Sequence, residues 1–258
     1  MRIAILEDDT SQMELMSRWL QMAGHHVHAF ERGTALLGAL EHETFDALLL
    51  DWNVPDVSGM EVLKRVRQQL GLHIPVLFST ARNDEADVVL ALHHGAHGYL
   101  VKPLRRLELL ARVEAVTRRN GAEGSQAQHL EVGVFRVDAA ARRLLRDNQL
   151  LNLTAKDFDL AVLFLRNVGR LLSRGHLRES VWNAKTAVSS RTLDTHVSRI
   201  RSKLRLVPEH GWRLTAVYGY GYRLEQLTET TVSRTRNTRS ATNELDQPVP
   251  EDAFGERM

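Results

Sequence analysis

The chain has 258 residues, 43% of them hydrophobic, with 34 basic against 32 acidic side chains, a formal net charge of +2 and no cysteine. That length predicts two globular cores at about 100 to 200 residues each, and the missing cysteines exclude disulfides and thiolate metal sites. No apolar run approaches the roughly 18 residues of a membrane span, and MRIAILEDD enters a strand pattern without the regions of a signal peptide, so a cytoplasmic protein is expected.

The small net charge conceals an asymmetry, since residues 1–119 carry −3, 120–128 carry −1, 129–227 carry +8 and 228–258 carry −2. A basic module beside a mildly acidic one predicts contact with a polyanion, against the plainer alternative of a solvated basic surface.

In the first module, strands are expected at Arg2–Leu6, Val27–Phe30, Ala47–Leu50, Val76–Ser79 and Tyr99–Val101. Helical patterns over Ser11–Ala23, Thr34–Leu40, Met60–Gln69, Glu85–His94 and Leu104–Arg119 alternate with them. Five βα units predict a doubly wound parallel sheet with helices on both faces. The carboxyl ends of parallel strands lie together, which brings Glu7, Asp8 and Asp9, then Asp51, Thr80 and Lys102, to one pocket. Clustered carboxylates repel unless a cation sits among them, and oxygen donors of this kind suit Mg²⁺. A hydroxyl and an ammonium nearby are what phosphoryl oxygens require. Taken alone, Asp51 reads by default as an ordinary strand-ending Asp that caps a loop; the rest of the chain overturns that.

The segments ILEDD, LLLDWNVPDVSG, PVLFSTAR and GYLVKP resemble, in order, the four signatures of the receiver domain of bacterial two-component response regulators. The resemblance implies that Asp51 accepts a phosphoryl group from a sensor histidine kinase. It also implies that Asp8, Asp51 and the Asn53 carbonyl bind Mg²⁺ with Glu7 acting through water, and that Lys102 and Thr80 hold the phosphoryl oxygens. Thr80 and Tyr99 are then the switch pair. On this reading the protein catalyses only its own phosphorylation and dephosphorylation.

Residues 120–128 (NGAEGSQAQ) have the small, polar composition of a linker. From Val132 to Leu153 alternating, turn-punctuated runs predict an antiparallel sheet. Thr154 is expected to cap a helix whose apolar face is Phe158, Ala161, Val162 and Leu165, and Ser173 to cap a second through Trp182. A third helix is expected at about Arg191–Leu204, with Leu193, Val197, Ile200 and Leu204 inward and Arg191, Thr195, Ser198, Arg199 and Ser202 outward. WRLTAVYGYGYRL reads as a hairpin with Gly219 and Gly221 at its turn.

With LNLTAKDFDL, LLSRGHLRESVW and SRTLDTHVSRIRSKL, these pieces resemble the winged-helix effector domain of the OmpR/PhoB family over residues 129–227. The resemblance implies binding of double-stranded DNA through Arg191, Thr195, His196, Ser198, Arg199 and Arg201, and through Tyr218, Gly219 and Tyr222 of the wing. It also implies an RNA polymerase contact by the loop from Asn183 to Ser190, and a homodimer in the active state using Arg112, Arg119 and the surface around His97. The chain departs from the family where an acidic pair is replaced by His97 and Gly98, a basic residue of the fourth helix by Val88, and a basic wing residue by Tyr218.

Two histidine clusters, His25/His26/His28 and His93/His94/His97, are weaker candidates for a metal or pH sensor. Residues 228–258 have almost no large apolar side chains and are expected to be disordered. The expected function is a phosphorylation-dependent, DNA-binding transcription regulator. The rivals are a constitutive DNA binder that has lost its dimer switch and a phosphatase working through an aspartyl phosphate.

Overall fold

The computed structural model describes residues 1–81, 84–120, 129–182 and 189–227, with the side chains of 118–120 left out of the description. Asn120, expected to open the linker, is instead the last residue of the fifth helix, while the rest of the expected linker, most of the loop after Trp182 and the C-terminal tail lie outside the described residues.

Strands β1 (Arg2–Leu6), β2 (His26–Phe30), β3 (Ala47–Leu50), β4 (Val76–Thr80) and β5 (Gly98–Val101) form one parallel sheet in the order β2-β1-β3-β4-β5. The continuous apolar runs of β1, β3 and β4 are buried along their whole length, as strands covered on both faces must be. Helices α1 (Thr10–Met22) and α5 (Arg106–Asn120) pack together, as do α2 (Gly33–Leu40) and α3 (Gly59–Gln68), while α4 (Glu85–His93) buries Ala91. Two apolar cores result, one around Ile3, Ile5, Leu49 and Leu109, the other around Leu6, Leu50, Val62 and Phe78.

Local chemistry sets the helix starts. Asp9, Ser58 and Asp84 each accept a backbone N–H of the first turn, for α1, α3 and α4. Arg32 makes no side-chain cap on α2, and the carboxylate of Asp56 from the β3–α3 loop does so instead, accepting Gly33 N at 3.0 Å. Asp56 holds φ +71° to reach that position.

The second half begins with the antiparallel β6 (His129–Val132), β7 (Phe135–Asp138), β8 (Arg143–Arg146) and β9 (Gln149–Leu150). Helices α6 (Ala155–Arg166), α7 (Arg174–Val181) and α8 (Ser190–Lys203) follow, capped by Thr154, Ser173 and Ser189. The hairpin of β11 (Trp212–Val217) and β12 (Gly221–Gln226) is joined by β10 (Leu171–Ser173), which the sequence pattern does not predict. Gly221, expected at the hairpin turn, lies instead in β12, where β10 crosses so closely that a Cβ would stand 1.9 Å from Leu172 O.

The two halves meet at the amino ends of β1 and β3. Arg2, 3% exposed, donates from Nη1 to Glu43 Oε2 at 2.5 Å and to Thr44 O at 3.0 Å, and from Nε to Glu179 Oε2 of α7 at 2.9 Å. His28 Nε2 lies 2.9 Å from the same Glu179 oxygen. Burial would raise the Glu179 pKa, but the His28 hydrogen bond and the Arg2 charge and hydrogen bond outweigh it and bring it down to about 2. Arg170 donates to Asp46 Oδ1 at 2.9 Å and to Phe45 O at 2.5 Å, and His176 Nδ1 lies 3.0 Å from Thr44 Oγ1.

Burial pushes the His176 pKa down from 6.5 to about 4, against the pull of Asp46 and with help from Arg170 and Arg2. A depressed folded pKa means that the neutral imidazole stabilises the fold above the unfolded pKa, and that this contribution is lost as pH falls through the folded value. Thermal unfolding of the full chain should therefore lose on the order of 3 kcal/mol from this group between pH 6.5 and pH 4. His176→Asn should flatten that part of the profile. An unchanged slope in the variant would contradict the assignment.

Candidate functional site

Three parallel strands deliver charged residues to one pocket. β1 ends at Glu7, β3 at Asp51 and β5 at Lys102, each straight after an apolar run that fixes where the strand stops. The Lys102 ammonium lies 2.8 Å from Asp51 Oδ2 and 2.9 Å from Glu7 Oε1. Glu7 Oε2 is 2.8 Å from the same nitrogen as an ion-pair contact without hydrogen-bond geometry. Asp51 is 7% and Glu7 0% exposed, whereas Asp8 is open to solvent.

Burial lifts the Glu7 carboxyl above its ordinary value, partly offset by Lys102 and reinforced by the Asp51 charge. Burial alone would lower the Lys102 pKa, yet its hydrogen bonds to Asp51 and Glu7 and their charges raise it. The ammonium is thus held in its charged form beside Asp51. Asn53 N donates to Asp51 Oδ1 at 3.3 Å. Thr80 closes β4, fully buried, and its carbonyl accepts Lys102 N at 2.9 Å. Tyr99 packs on Phe78, with ring centroids 6.2 Å apart. Gly59 lets the β3–α3 loop fold over the pocket, since a Cβ there would stand 2.0 Å from Asp51 O.

Glu7, Asp8 and Asp51 offer carboxylate oxygens all within 4.8 Å of one another, the one grouping of potential metal ligands among the described residues. An all-oxygen donor set of this kind fits a hard divalent cation such as Mg²⁺. The histidines do not assemble in this way: His28 is taken up by Glu179, and the His93 and His94 rings meet edge to face at 6.0 Å.

In the second half, α8 buries Leu193, Val197 and Ile200, and exposes Arg191, Thr195, Ser198, Arg199 and Ser202. Tyr218 and Gly219 form the exposed turn of the hairpin, Gly219 at φ +71°. Three residues expected among the DNA contacts face elsewhere. His196 turns inward, its Nδ1 2.7 Å from the fully buried Asp157 and its ring 5.2 Å from Trp182. Tyr222, 6% exposed, donates its hydroxyl to Asp194 Oδ1 at 2.5 Å because β12 is the central strand of its sheet. Arg201 donates from Nε to Leu214 O at 3.1 Å and ties α8 to β11.

Arg112 is exposed on α5, the Arg119 side chain lies outside the described residues, and His97 is exposed at the start of β5. Around them Val89 and Leu92 of α4, Val101 of β5 and Leu107 of α5 stand in solvent, Leu92 at 47% and Leu107 at 79% exposure.

Comparison with known proteins agrees in both halves. Residues 3–114 match the family model for the response regulator receiver domain, and residues 148–224 match that for the transcriptional regulatory protein, C terminal. The sensory transduction protein RegX3 of Mycobacterium tuberculosis is 36% identical over 225 residues, covering 86% of this chain and 98% of that protein. The DNA-binding response regulator MtrA of Mycolicibacterium smegmatis is 33% identical over 222 residues, covering 86% and 96%. Among solved structures, the response regulator DrrB of Thermotoga maritima, an OmpR/PhoB homologue, is similar at 27% identity with a TM-score of 0.42, covering 87% of this chain and 98% of that one. The family models and the curated relatives favour neither the phosphatase nor the constitutive binder. With a receiver model and an effector model matched in order, and relatives alike over nearly their whole length, the chain belongs to the OmpR/PhoB family of two-component response regulators, the phosphorylation-dependent transcription regulators that bind DNA.

Proposed function

We propose that Asp51 is the phospho-acceptor of a receiver domain at residues 1–119, joined by 120–128 to a DNA-binding domain at 129–227 and a tail at 228–258. The observation that carries this reading is the single ammonium of Lys102 held between Asp51 and Glu7 at the shared carboxyl end of the sheet. An Asp51 oxygen attacks the phosphorus of a phosphohistidine on the kinase. The O–P bond forms as the N–P bond breaks, and the imidazole nitrogen departs with the electron pair. Lys102 is within reach of the oxygens that gain charge, and the Thr80 hydroxyl is the second group assigned to them. Glu7, Asp8, Asp51 and the Asn53 carbonyl are the residues to hold Mg²⁺, which when bound supplies neutralisation of the carboxylate and phosphoryl charges. Thr80 at the carboxyl end of β4 and Tyr99 in the adjacent β5, beside Phe78, form the switch pair.

The active state is a homodimer through the surface of α4, β5 and α5. The apolar side chains there, with His97 and Gly98 in place of acids, make this contact chiefly hydrophobic, with Arg112 and Arg119 at its margin. DNA is met by Arg191, Thr195, Ser198 and Arg199 of α8 and by Tyr218 and Gly219 of the wing, and RNA polymerase by the segment after Trp182. The described helices include none long and apolar enough to cross a membrane, and a cytoplasmic location is part of the proposal.

Incubated with acetyl phosphate and Mg²⁺, the chain should gain one phosphoryl group by intact mass, and Asp51→Ala none. Lys102→Ala should take up phosphate more slowly by about 100-fold. Uptake by Asp51→Ala at the wild-type rate would refute the acceptor assignment.

Leu92→Asp and Leu107→Asp should abolish phosphorylation-dependent dimerisation in sedimentation while leaving phosphoryl uptake intact. Dimerisation that survives both would move the interface elsewhere.

Arg199→Ala should weaken binding to a duplex selected against this chain by about 1–3 kcal/mol. A loss no greater than that of Arg205→Ala, just beyond α8, would remove Arg199 from the reading face.

A further inference from the structure

One carboxylate in the second half of the chain is buried and only half used. Asp157 lies in the first turn of α6 and is fully buried. Its Oδ1 accepts His196 Nδ1 at 2.7 Å, and the His196 ring is backed by Trp182. Its Oδ2, equally out of solvent, has no hydrogen-bond partner among the described residues. What stands beside that oxygen is Arg199, on the exposed face of α8, with Nη1 at 3.5 Å. Burial alone would raise the Asp157 pKa, yet hydrogen bonds with His196 and Thr154 and the charge of Arg199 hold it below the ordinary carboxylate value.

The other basic side chains of α8 are placed differently. Arg201 Nε is spent on Leu214 O, and Lys203 Nζ donates to Asn152 O at 2.6 Å. Arg191 is exposed and makes no ion pair among the described residues. An unpaired arginine loses rotamer freedom when it meets a base, whereas one already held at a carboxylate has less to lose. A guanidinium held through Nη1 keeps its Nε–Nη2 edge, two N–H donors that match O6 and N7 of a guanine in the major groove. Drawing Arg199 away to a phosphate would leave a buried carboxylate oxygen without its compensating charge, which is costly.

Resting on the reading of Arg199 as a DNA contact, we propose that Asp157, itself too deeply buried to touch DNA, sets a base preference of the chain by holding Arg199 at one edge so that the other edge reads a single guanine. Asp157 is a positioning residue that acts through Arg199. His196, wedged against Trp182, fixes the carboxylate in turn.

The test uses the full chain and a duplex selected from a random pool. Each G·C pair of the site is replaced in turn by A·T, and Arg199→Ala identifies the pair at which discrimination depends on Arg199. Wild type should lose about tenfold or more in affinity when that pair is replaced. Asp157→Asn keeps the size of the side chain and an oxygen for His196 but removes the charge. In this variant the loss at that pair should shrink to about threefold or less, with the other pairs and the salt dependence unchanged. Adding Asp157→Asn to Arg199→Ala should change nothing further at that pair. In the free wild-type chain the Nε–H of Arg199 should show a higher NMR order parameter than that of Arg191. Arg199 as mobile as Arg191 overturns the proposal whether or not the variant folds. So does an Asp157→Asn chain that keeps full discrimination, a further loss in the double variant, or an equal loss of affinity for every duplex, the mark of a merely structural role. If Arg199→Ala alters discrimination at no pair, the base contact by Arg199 is itself wrong, and the proposal falls with it.

Discussion

Everything at the carboxyl end of the sheet depends on one ammonium between two buried carboxylates. Glu7 and Asp51 stand on neighbouring strands in a largely dehydrated pocket, where two negative charges together are costly. Lys102 reaches both from β5, across β4, and balances part of that charge. The same arrangement leaves Asp8 facing solvent beside the two buried carboxylates. In the proposed phosphoryl transfer, the charge that stabilises the resting pocket is also the charge the reaction would use.

Strands β1 and β3 carry this chemistry at one end and the inter-domain contacts at the other. Between Arg2 and Glu7 there is only Ile3-Ala4-Ile5-Leu6, and between Asp46 and Asp51 only Ala47-Leu48-Leu49-Leu50. These apolar interiors are fully buried, so each strand is a stiff spacer with a charged group at each end. The acidic pocket and the second half of the chain thus use opposite ends of the sheet, and neither covers the apolar side chains exposed on α4, β5 and α5.

The pocket was legible because its signals are local. Each functional residue follows an apolar strand run, and parallel strands align their ends, so Glu7, Asp51 and Lys102 could be brought together without a structure. Spacings of four, seven and eleven likewise assigned Leu193, Val197, Ile200 and, at the C-cap, Leu204 to the inner side of α8. Contacts that span the chain left no such mark. Arg2 meets Glu179 across 177 positions, and Asp56 caps a helix 23 residues earlier. A charged residue at the start of a strand looks the same whether it faces water or another domain. His196 and Tyr222 were placed on the DNA face by resemblance, but His196 is held by the buried Asp157 of α6, a partner on another helix with no sequence signature, and Tyr222 is buried because β12 is the central strand of its sheet. Gly221 looked like turn chemistry, whereas its small size serves the close crossing of β10.

The most direct test of the whole account is the affinity of the full chain for one selected duplex, at one salt concentration, before and after phosphorylation, in wild type and Asp51→Ala. The account predicts that phosphorylation tightens binding by about tenfold or more in wild type, a coupling of about 1.4 kcal/mol, and does nothing in the variant. Equal affinity in both states of wild type, or the same gain in Asp51→Ala, would contradict it.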